Sequence, residues 1–281
     1  MTIRFTKMHG LGNDFIVLDA INQTIDLTQE KIRALSRRDT GIGFDQCLLV
    51  AASTDPTIDF FYRIYNADGQ EVGQCGNGAR CLARFIQYYG LTKKKSIRVA
   101  TSSTSMQLQL NEDDSVTIAM EQPKLSPKEI PLLVDKEASL YQLPLENHTF
   151  CALHAINVGN PHAVIQVASL SKAPVATLGK EICEHPFFPL QTNVGFMEII
   201  DSNHIHLRVY ERGCGETMAC GSGAVAAAAI GRLYYQLNEK IEIHLRGGKL
   251  QVSWPSKEGP IYLTGPASFV YEGVLFQGTI V

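Results

Sequence analysis

The chain has 281 residues, 45% of them hydrophobic and 19% charged, with 23 Gly and 12 Pro. That length exceeds one ordinary core and that apolar fraction argues against disorder, so two turn-rich globular domains are expected. A formal net charge of −3 gives no electrostatic reason to expect nucleic acid or an anionic membrane as partner, which leaves small-molecule chemistry.

Residues 1–10 lack an apolar core of signal-peptide length, and the longest greasy stretch, 224–230, is too short to span a bilayer; a cytoplasmic location is expected. Seven cysteines, an odd number scattered along the chain, do not form a disulfide framework and are expected to stay reduced. Gly10-Leu11-Gly12 and Gly41-Ile42-Gly43 do not complete a dinucleotide fingerprint. Residues 58–65 read as a strand, Asn66-Ala67-Asp68-Gly69 as a turn, and a helix begins near Cys75 and stops around Gly90. The stretch 122–147 holds Pro123, Pro127, Pro131 and Pro144 and little continuous periodicity, so a domain boundary is placed there. Residues 205–210 read as a second strand and 224–235 as a second helix, whose alanine-rich middle predicts close packing on all sides. The segments 241–245, 249–254 and 261–263 read as strands between glycine and proline punctuation.

Laying residues 63–83 over 208–228 without gaps gives identities at Arg63/Arg208, Tyr65/Tyr210, Glu71/Glu216, Cys75/Cys220, Gly76/Gly221, Gly78/Gly223, Ala79/Ala224 and Ala83/Ala228. Both windows carry the same order of strand, polar loop and helix, so the chain reads as a duplication. Each copy delivers Cys-Gly-X-Gly-Ala where loop becomes helix. The first helical N–H groups lack intrahelical partners and attract anions, and the glycines leave a carboxylate free access to the backbone. The same end of the helix favours a thiolate, while desolvation opposes it.

If the halves pack about a pseudo-twofold axis, the two cysteines approach one cleft from opposite sides. Inverting a carbon needs one group to remove its proton and a second to return one on the other face, roles that a thiolate and a thiol can share. For an assumed separation of about 7 Å and an effective dielectric of ~20, two thiolates would repel by roughly 2 kcal/mol, which keeps the pair singly ionised. The settings of the two thiols read as nearly equivalent. A lone cysteine beside such a turn would more often be a small core residue; the repeat argues otherwise. Metal binding is disfavoured because no CxxC pair exists. A working disulfide of a thiol redox protein is the other reading, against which the missing CxxC also counts. Cys47, Cys81, Cys151 and Cys183 read as buried structural thiols and Cys214 as a loop residue without an assigned role.

The chain resembles the diaminopimelate epimerase family over essentially its whole length, through Lys7-Met8-His9-Gly10-Leu11-Gly12-Asn13-Asp14-Phe15, Asn66-Ala67-Asp68-Gly69 running to Cys81, Asn157-Val158-Gly159-Asn160-Pro161-His162, Asn193, and Tyr210-Glu211-Arg212-Gly213 through Ala224. The resemblance implies an α/β (α+β) fold of two pseudo-symmetric domains, each a mixed sheet wrapped around a central helix, with boundaries at 1–121, completed by 266–281, and 122–265. It implies cofactor-independent conversion of LL-2,6-diaminopimelate to the meso form for lysine and peptidoglycan synthesis. Cys75 and Cys220 would be the acid/base pair, with His162 and Glu211 tuning them, one beside each thiol. Asn13, Gln46, Gly76, Asn77, Gly221 and Ser222 would hold the reacting end, and Asn66, Asn160, Asn193, Glu211 and Arg212 the distal one. Taken singly, each Asn would pass as a turn residue and Glu211-Arg212 as a surface ion pair. Tyr271 would lie at a homodimer interface. Proline racemases and hydroxyproline epimerases are similar in architecture and are the alternative.

Overall fold

The computed structural model describes residues 2–276; Met1 and residues 277–281, the end of the segment expected to complete the first half, lie outside the described residues. The chain divides into two compact units, one built on the residues up to Ile118 together with the segment from Thr264, the other on Ala119–Leu263.

In the first unit, strand Thr2–Gly10 pairs antiparallel with Asn13–Asp19 and, on its other side, with Ser268–Phe276. Asn13–Asp19 runs parallel to Gln46–Ala52, which is antiparallel to Phe60–Asn66. Phe60–Asn66 takes the two-residue strand Glu71–Val72 antiparallel and Ser96–Ala100 parallel, and Ser96–Ala100 pairs antiparallel with Ser105–Leu110. The two parallel pairings each need a crossover, and each crossover holds a helix. These are α1, Gln29–Ser36, and α2, Gly76–Tyr88.

Helix α1 starts on Thr28, whose hydroxyl accepts from Lys31 N–H, and turns Ile32 and Leu35 inward. They meet Ile16, Leu18, Phe44 and Cys47 on one face of the sheet. The alternate residues face α2: a Cβ built on Gly78 would lie 3.2 Å from Leu48 and 3.4 Å from Phe15. Both faces of Asn13–Asp19 are thus covered, and Phe15, Ile16, Val17 and Leu18 are all fully buried. Helix α2 ends in a left-handed Gly90 (φ 63°), with Leu91 N–H on Ile86 C=O and Gly90 N–H on Gln87 C=O, the double closure that stops a helix cleanly.

The second unit repeats this wiring. Phe150–Asn157 is antiparallel to Pro161–Gln166, which runs parallel to Asn193–Asp201 across α3, Val175–Cys183. Asn193–Asp201 is antiparallel to His204–Glu211, and that strand takes the short Gly215–Glu216 antiparallel and Lys240–Leu245 parallel across α4, Gly221–Tyr234. Lys240–Leu245 pairs antiparallel with Gly248–Ser253. Each strand thus has a counterpart in the first unit. Every residue of α4 from Gly223 to Gly231 is buried, the close packing that its alanines predict. The proline-rich stretch 122–147, read as lacking periodicity, does contain one strand, Tyr141–Pro144, paired with Phe150–Asn157. A strand of four residues is too short for alternation to show in the sequence.

Two shared identities of the repeat have a mechanical role. Arg63 binds Glu71 at 2.7 and 3.1 Å, and Arg208 binds Glu216 at 2.7 and 2.9 Å, so in each unit a guanidinium on the long strand clasps the short strand that leads into the cysteine. In the turn after α1, a Cβ on Gly41 would lie 2.5 Å from the carbonyl oxygens of Ala34 and Leu35 and 2.8 Å from that of Arg37. Gly41→Ala is therefore expected to destabilise the protein by roughly 1–3 kcal/mol, read as a lower urea midpoint by circular dichroism; an unchanged midpoint would mean that the turn relaxes freely.

Candidate active site

Register brings the polar residues to one end of each sheet. In the first unit Phe15 pairs with Gln46 and Gln46 with Asn66, so Asn13, Gln46 and Asn66 share the edge from which the chain enters α2. Gln46 donates to Asn66 Oδ1 at 2.8 Å. Cys75 is the N-cap of α2, in extended backbone (φ −154°, ψ 108°), and its sulfur accepts from Gly78 N–H at 3.4 Å. A thiol here occupies the place of the usual capping oxygen. A Cβ on Gly76 would meet nothing within 4 Å, so the first turn of α2 opens onto free space. Cys75 also contacts Asn13 Oδ1 at 3.9 Å, and Asn77 donates to the same oxygen at 3.3 Å.

The second unit places its polar residues equivalently. His162 pairs with Asn193 and Val194 with Tyr210, which sets Asn160, His162, Asn193 and Glu211 at the edge leading to α4. Cys220 caps α4 and accepts from Gly223 N–H at 3.4 Å. A Cβ on Gly223 would be crowded, 3.0 Å from Val209 Cγ2, 3.2 Å from Cys220 Cβ and 3.3 Å from its sulfur.

The two thiols differ, contrary to their near-equivalence in sequence. Cys75 is partly exposed, whereas Cys220 is 4% exposed and donates to Glu211 Oε2 at 3.0 Å. Burial first, and then the Glu211 charge and hydrogen bond, push the Cys220 thiol well above the ordinary cysteine range; the helix terminus does not prevail there. The other Glu211 oxygen accepts from the Thr217 hydroxyl.

His162 and Glu211, the residues expected to tune the thiols, both belong to the second unit, and within it His162 reaches Cys220 through Ser222. Its Nε2 lies 3.0 Å from Ser222 Oγ, 3.1 Å from Asn160 Oδ1 and 3.4 Å from Asn193 Nδ2, and Ser222 Oγ is 3.6 Å from the Cys220 sulfur. Burial, with a further contribution from Arg212, lowers the His162 pKa to about 3, so the imidazole is neutral at ordinary pH. Asn193 Oδ1 accepts from Arg212 N–H at 2.9 Å, and the Arg212 guanidinium holds Leu190 C=O at 2.8 Å. Cys47, Cys81, Cys151 and Cys183 are buried, as expected, and Cys214 is exposed in the turn after Glu211. Tyr271 is 46% exposed on Ser268–Phe276, edge-on to Phe5.

The sequence reading missed a charged network around Asn13. Asp14 accepts from Lys7 at 2.6 Å and from both Arg38 terminal nitrogens at 2.8 and 2.9 Å. Burial pushes its pKa up, but the two cations outweigh it and hold the carboxylate far below its usual range. Asp45 accepts from Arg38 at 2.8 Å and from Asn13 Nδ2 at 3.0 Å. Arg80 on α2 is also fully buried. The repeat carried one signal for it: the matching position is Val225, so a core position of the second copy holds an arginine in the first.

The same architecture is found in solved structures of low sequence identity. A hydroxyproline epimerase from Agrobacterium vitis superimposes with a TM-score of 0.69 at 13% identity, over 98% of this chain and 92% of that one. A Bacillus anthracis protein of the phenazine biosynthesis PhzF family gives 0.67 at 18% identity, over 98% and 99%. Identities this low show the fold alone. The family model described as diaminopimelate epimerase matches residues 5–126 and 154–270. The diaminopimelate epimerase of Legionella pneumophila strain Philadelphia 1 is 62% identical over 277 residues, covering 99% of this chain and all of that protein. The chain belongs to the diaminopimelate epimerase family, and it is an isomerase.

His162 supplies a test of the electrostatics. Its folded pKa lies below the unfolded value near 6.5, so the stability it contributes is present above pH 6.5 and is lost as pH falls toward about 3. Between pH 6.5 and 5 the loss should amount to roughly 2 kcal/mol. Chemical denaturation of wild type and His162→Gln at both pH values should show the variant losing less by about that amount; equal losses would mean that the imidazole is not held neutral.

Proposed function

We propose that the chain epimerises LL-2,6-diaminopimelate to the meso form by a two-thiol acid/base reaction, as its 62% identical relatives bear that enzyme's name. The observation that carries the mechanism is the pair of cysteines, one in each repeat, each capping the N-terminus of a buried helix. One thiolate removes the α-hydrogen as a proton, leaving the electron pair delocalised into the carboxylate, and the other thiol returns a proton on the opposite face. Burial and Glu211 keep the proton on Cys220, whereas Cys75 is partly exposed and, within its own unit, meets the Asn13 amide oxygen. Reversal of the reaction exchanges the roles.

The reacting carboxylate is held by the first turns of the two helices, at Gly76, Asn77, Gly221 and Ser222, where N–H groups and the helix dipole favour an anion. Asn13 and Gln46 complete that end. Asn66, Asn160, Asn193, Glu211 and Arg212 bind the distal ammonium and carboxylate, for which Arg212 offers a planar fork. His162, neutral and joined to Ser222, Asn160 and Asn193, orients those groups. We also propose a homodimer with Tyr271, which is exposed, at its interface.

Purified protein offered LL-diaminopimelate, proline and hydroxyproline without added cofactor should exchange the α-hydrogen of the first; exchange with proline alone would reverse the substrate assignment. Cys75→Ala and Cys220→Ala should each lower kcat by at least roughly 10²–10⁴-fold with the fold intact by circular dichroism, while Cys151→Ala, in the core, stays near wild type. Most of the activity surviving in either variant would remove the two-thiol mechanism.

A thiol carries a single proton, which gives an isotopic signature. Early in a reaction in D₂O the new epimer should carry deuterium while recovered substrate stays largely protiated, because internal return delivers the hydrogen that was just removed. A lone polyprotic base would scramble the two. Initial-rate mass spectrometry on both epimers checks this, and early product retaining the substrate's own hydrogen would exclude opposed thiols.

A further inference from the structure

Arg80 and Asp45 stand at the two ends of a short chain of side-chain amides that terminates at Cys75. Arg80, wholly buried one turn into α2, donates from Nη2 to Asn77 Oδ1 at 2.9 Å, from Nε to Pro266 C=O at 3.1 Å and from Nη1 to Gly76 C=O at 3.4 Å. Asn77 Nδ2 donates to Asn13 Oδ1 at 3.3 Å, and Asn13 Nδ2 donates to Asp45 Oδ2 at 3.0 Å. The Asn13 oxygen is the atom that meets the Cys75 sulfur, at 3.9 Å.

An amide can rotate by half a turn and exchange oxygen for nitrogen, so two linked asparagines have two arrangements of opposite polarity. The ends of this chain admit one. A guanidinium has only donors, so it must face the Asn77 oxygen; an ionised carboxylate only accepts, so it must face the Asn13 nitrogen. Working inward from either end gives the same result, Asn77 nitrogen against Asn13 oxygen. Asp45 also accepts from Arg38 at 2.8 Å and from Asp14 N–H at 3.1 Å.

We propose that Arg80 and Asp45 are positioning residues that fix the polarity of the Asn77–Asn13 relay, so that an acceptor rather than a donor is presented to the Cys75 sulfur. The proposal rests on reading Cys75 as a proton carrier. A carbonyl oxygen at the sulfur aims the S–H and holds its proton, and it does so less firmly than the Glu211 carboxylate does at Cys220. The relay thereby keeps the Cys75 proton exchangeable. An amide N–H in the same place would instead stabilise the thiolate and make it a poorer base.

Either end alone suffices to set the polarity, so the effects of removing them are not additive. Asp45→Asn keeps shape but can donate as well as accept; Arg80→Gln does the same for the other end, while Arg80→Lys remains donor-only. Arg80 itself, Cys81 beside it and Tyr62 on Phe60–Asn66 also interact electrostatically with Cys75, and burial raises the Cys81 and Tyr62 pKa values beyond the range of the measurement.

Site-resolved alkylation of Cys75 by iodoacetamide as a function of pH, followed by mass spectrometry, reads the thiol without any substrate and so does not depend on the epimerase assignment. The midpoint in Asp45→Asn and in the double variant Asp45→Asn/Arg80→Lys, which both keep the cation, should match wild type, whereas Arg80→Gln should raise it through loss of the charge that Cys75 feels. Asp45→Asn/Arg80→Gln should then lie below Arg80→Gln by about half to one pH unit, with the Cys220 midpoint unchanged. Equal midpoints in Arg80→Gln and that folded double variant, or the same downward shift in Asp45→Asn alone, overturn the proposal. If the double variant does not fold, neutron diffraction on deuterium-exchanged wild-type crystals places the amide deuterons directly: deuterons of Asn13 facing Asp45 support the relay, and deuterons facing Cys75 overturn it.

Discussion

The first N–H groups of a helix have no partner within it, so whatever stands at its N-terminus should accept hydrogen bonds. In α2 and α4 that acceptor is a cysteine sulfur, and much of the local structure follows from using a large, soft atom in place of a small oxygen. The third helical residue is glycine in both, where a Cβ would crowd the cap and Val209 at Gly223 and Leu48 at Gly78. The capping residue must be extended, which the Arg63–Glu71 and Arg208–Glu216 clasps secure by fastening the short strand just ahead of it. A sulfur receiving an N–H bond at a helix end is also a sulfur whose ionisation the protein can adjust.

Burial and charge then act on the two caps to different degrees. Within the second unit the apolar surroundings that neutralise His162 also hold the Cys220 proton, and Glu211 reinforces the latter. Within the first, the charges of Lys7, Asp14, Arg38 and Asp45 sit a residue or two away from Asn13, and amides stand between them and the thiol. Carboxylate contact in one unit and amide contact in the other are two ways of setting the proton affinity of the same functional group.

The sequence made the caps legible because helix starts are local: glycine spacing, an apolar run and a duplicated window sufficed for Cys75 and Cys220, and the alanines of α4 announced its burial. The family resemblance named the asparagines and Arg212, which propensity alone would have left as turn residues. What stayed hidden depends on distant pairing. Nothing in the segment 122–147 foretells that Tyr141–Pro144 would find an edge on Phe150–Asn157, and nothing local distinguishes the exposure of the two thiols. Glu211 meets Cys220 because a strand end and a helix start converge, nine residues apart in the chain. Arg80 was visible only as an inconsistency, a cation where the other copy has Val225.

That inconsistency is one of several between copies whose strand wiring is the same. Phe15 answers to His162 through the pairing with Gln46 and Asn193, Asn66 answers to Glu211, and Arg80 answers to Val225. A protein assembled from two identical chains would be obliged to carry every such residue twice, and a substitution helpful to one thiol would be imposed on the other. Joining the copies in one polypeptide lifts that constraint: the scaffold can remain a matched pair while selection edits each half independently, so chirality in the substrate is met by a chain that has itself ceased to be symmetric.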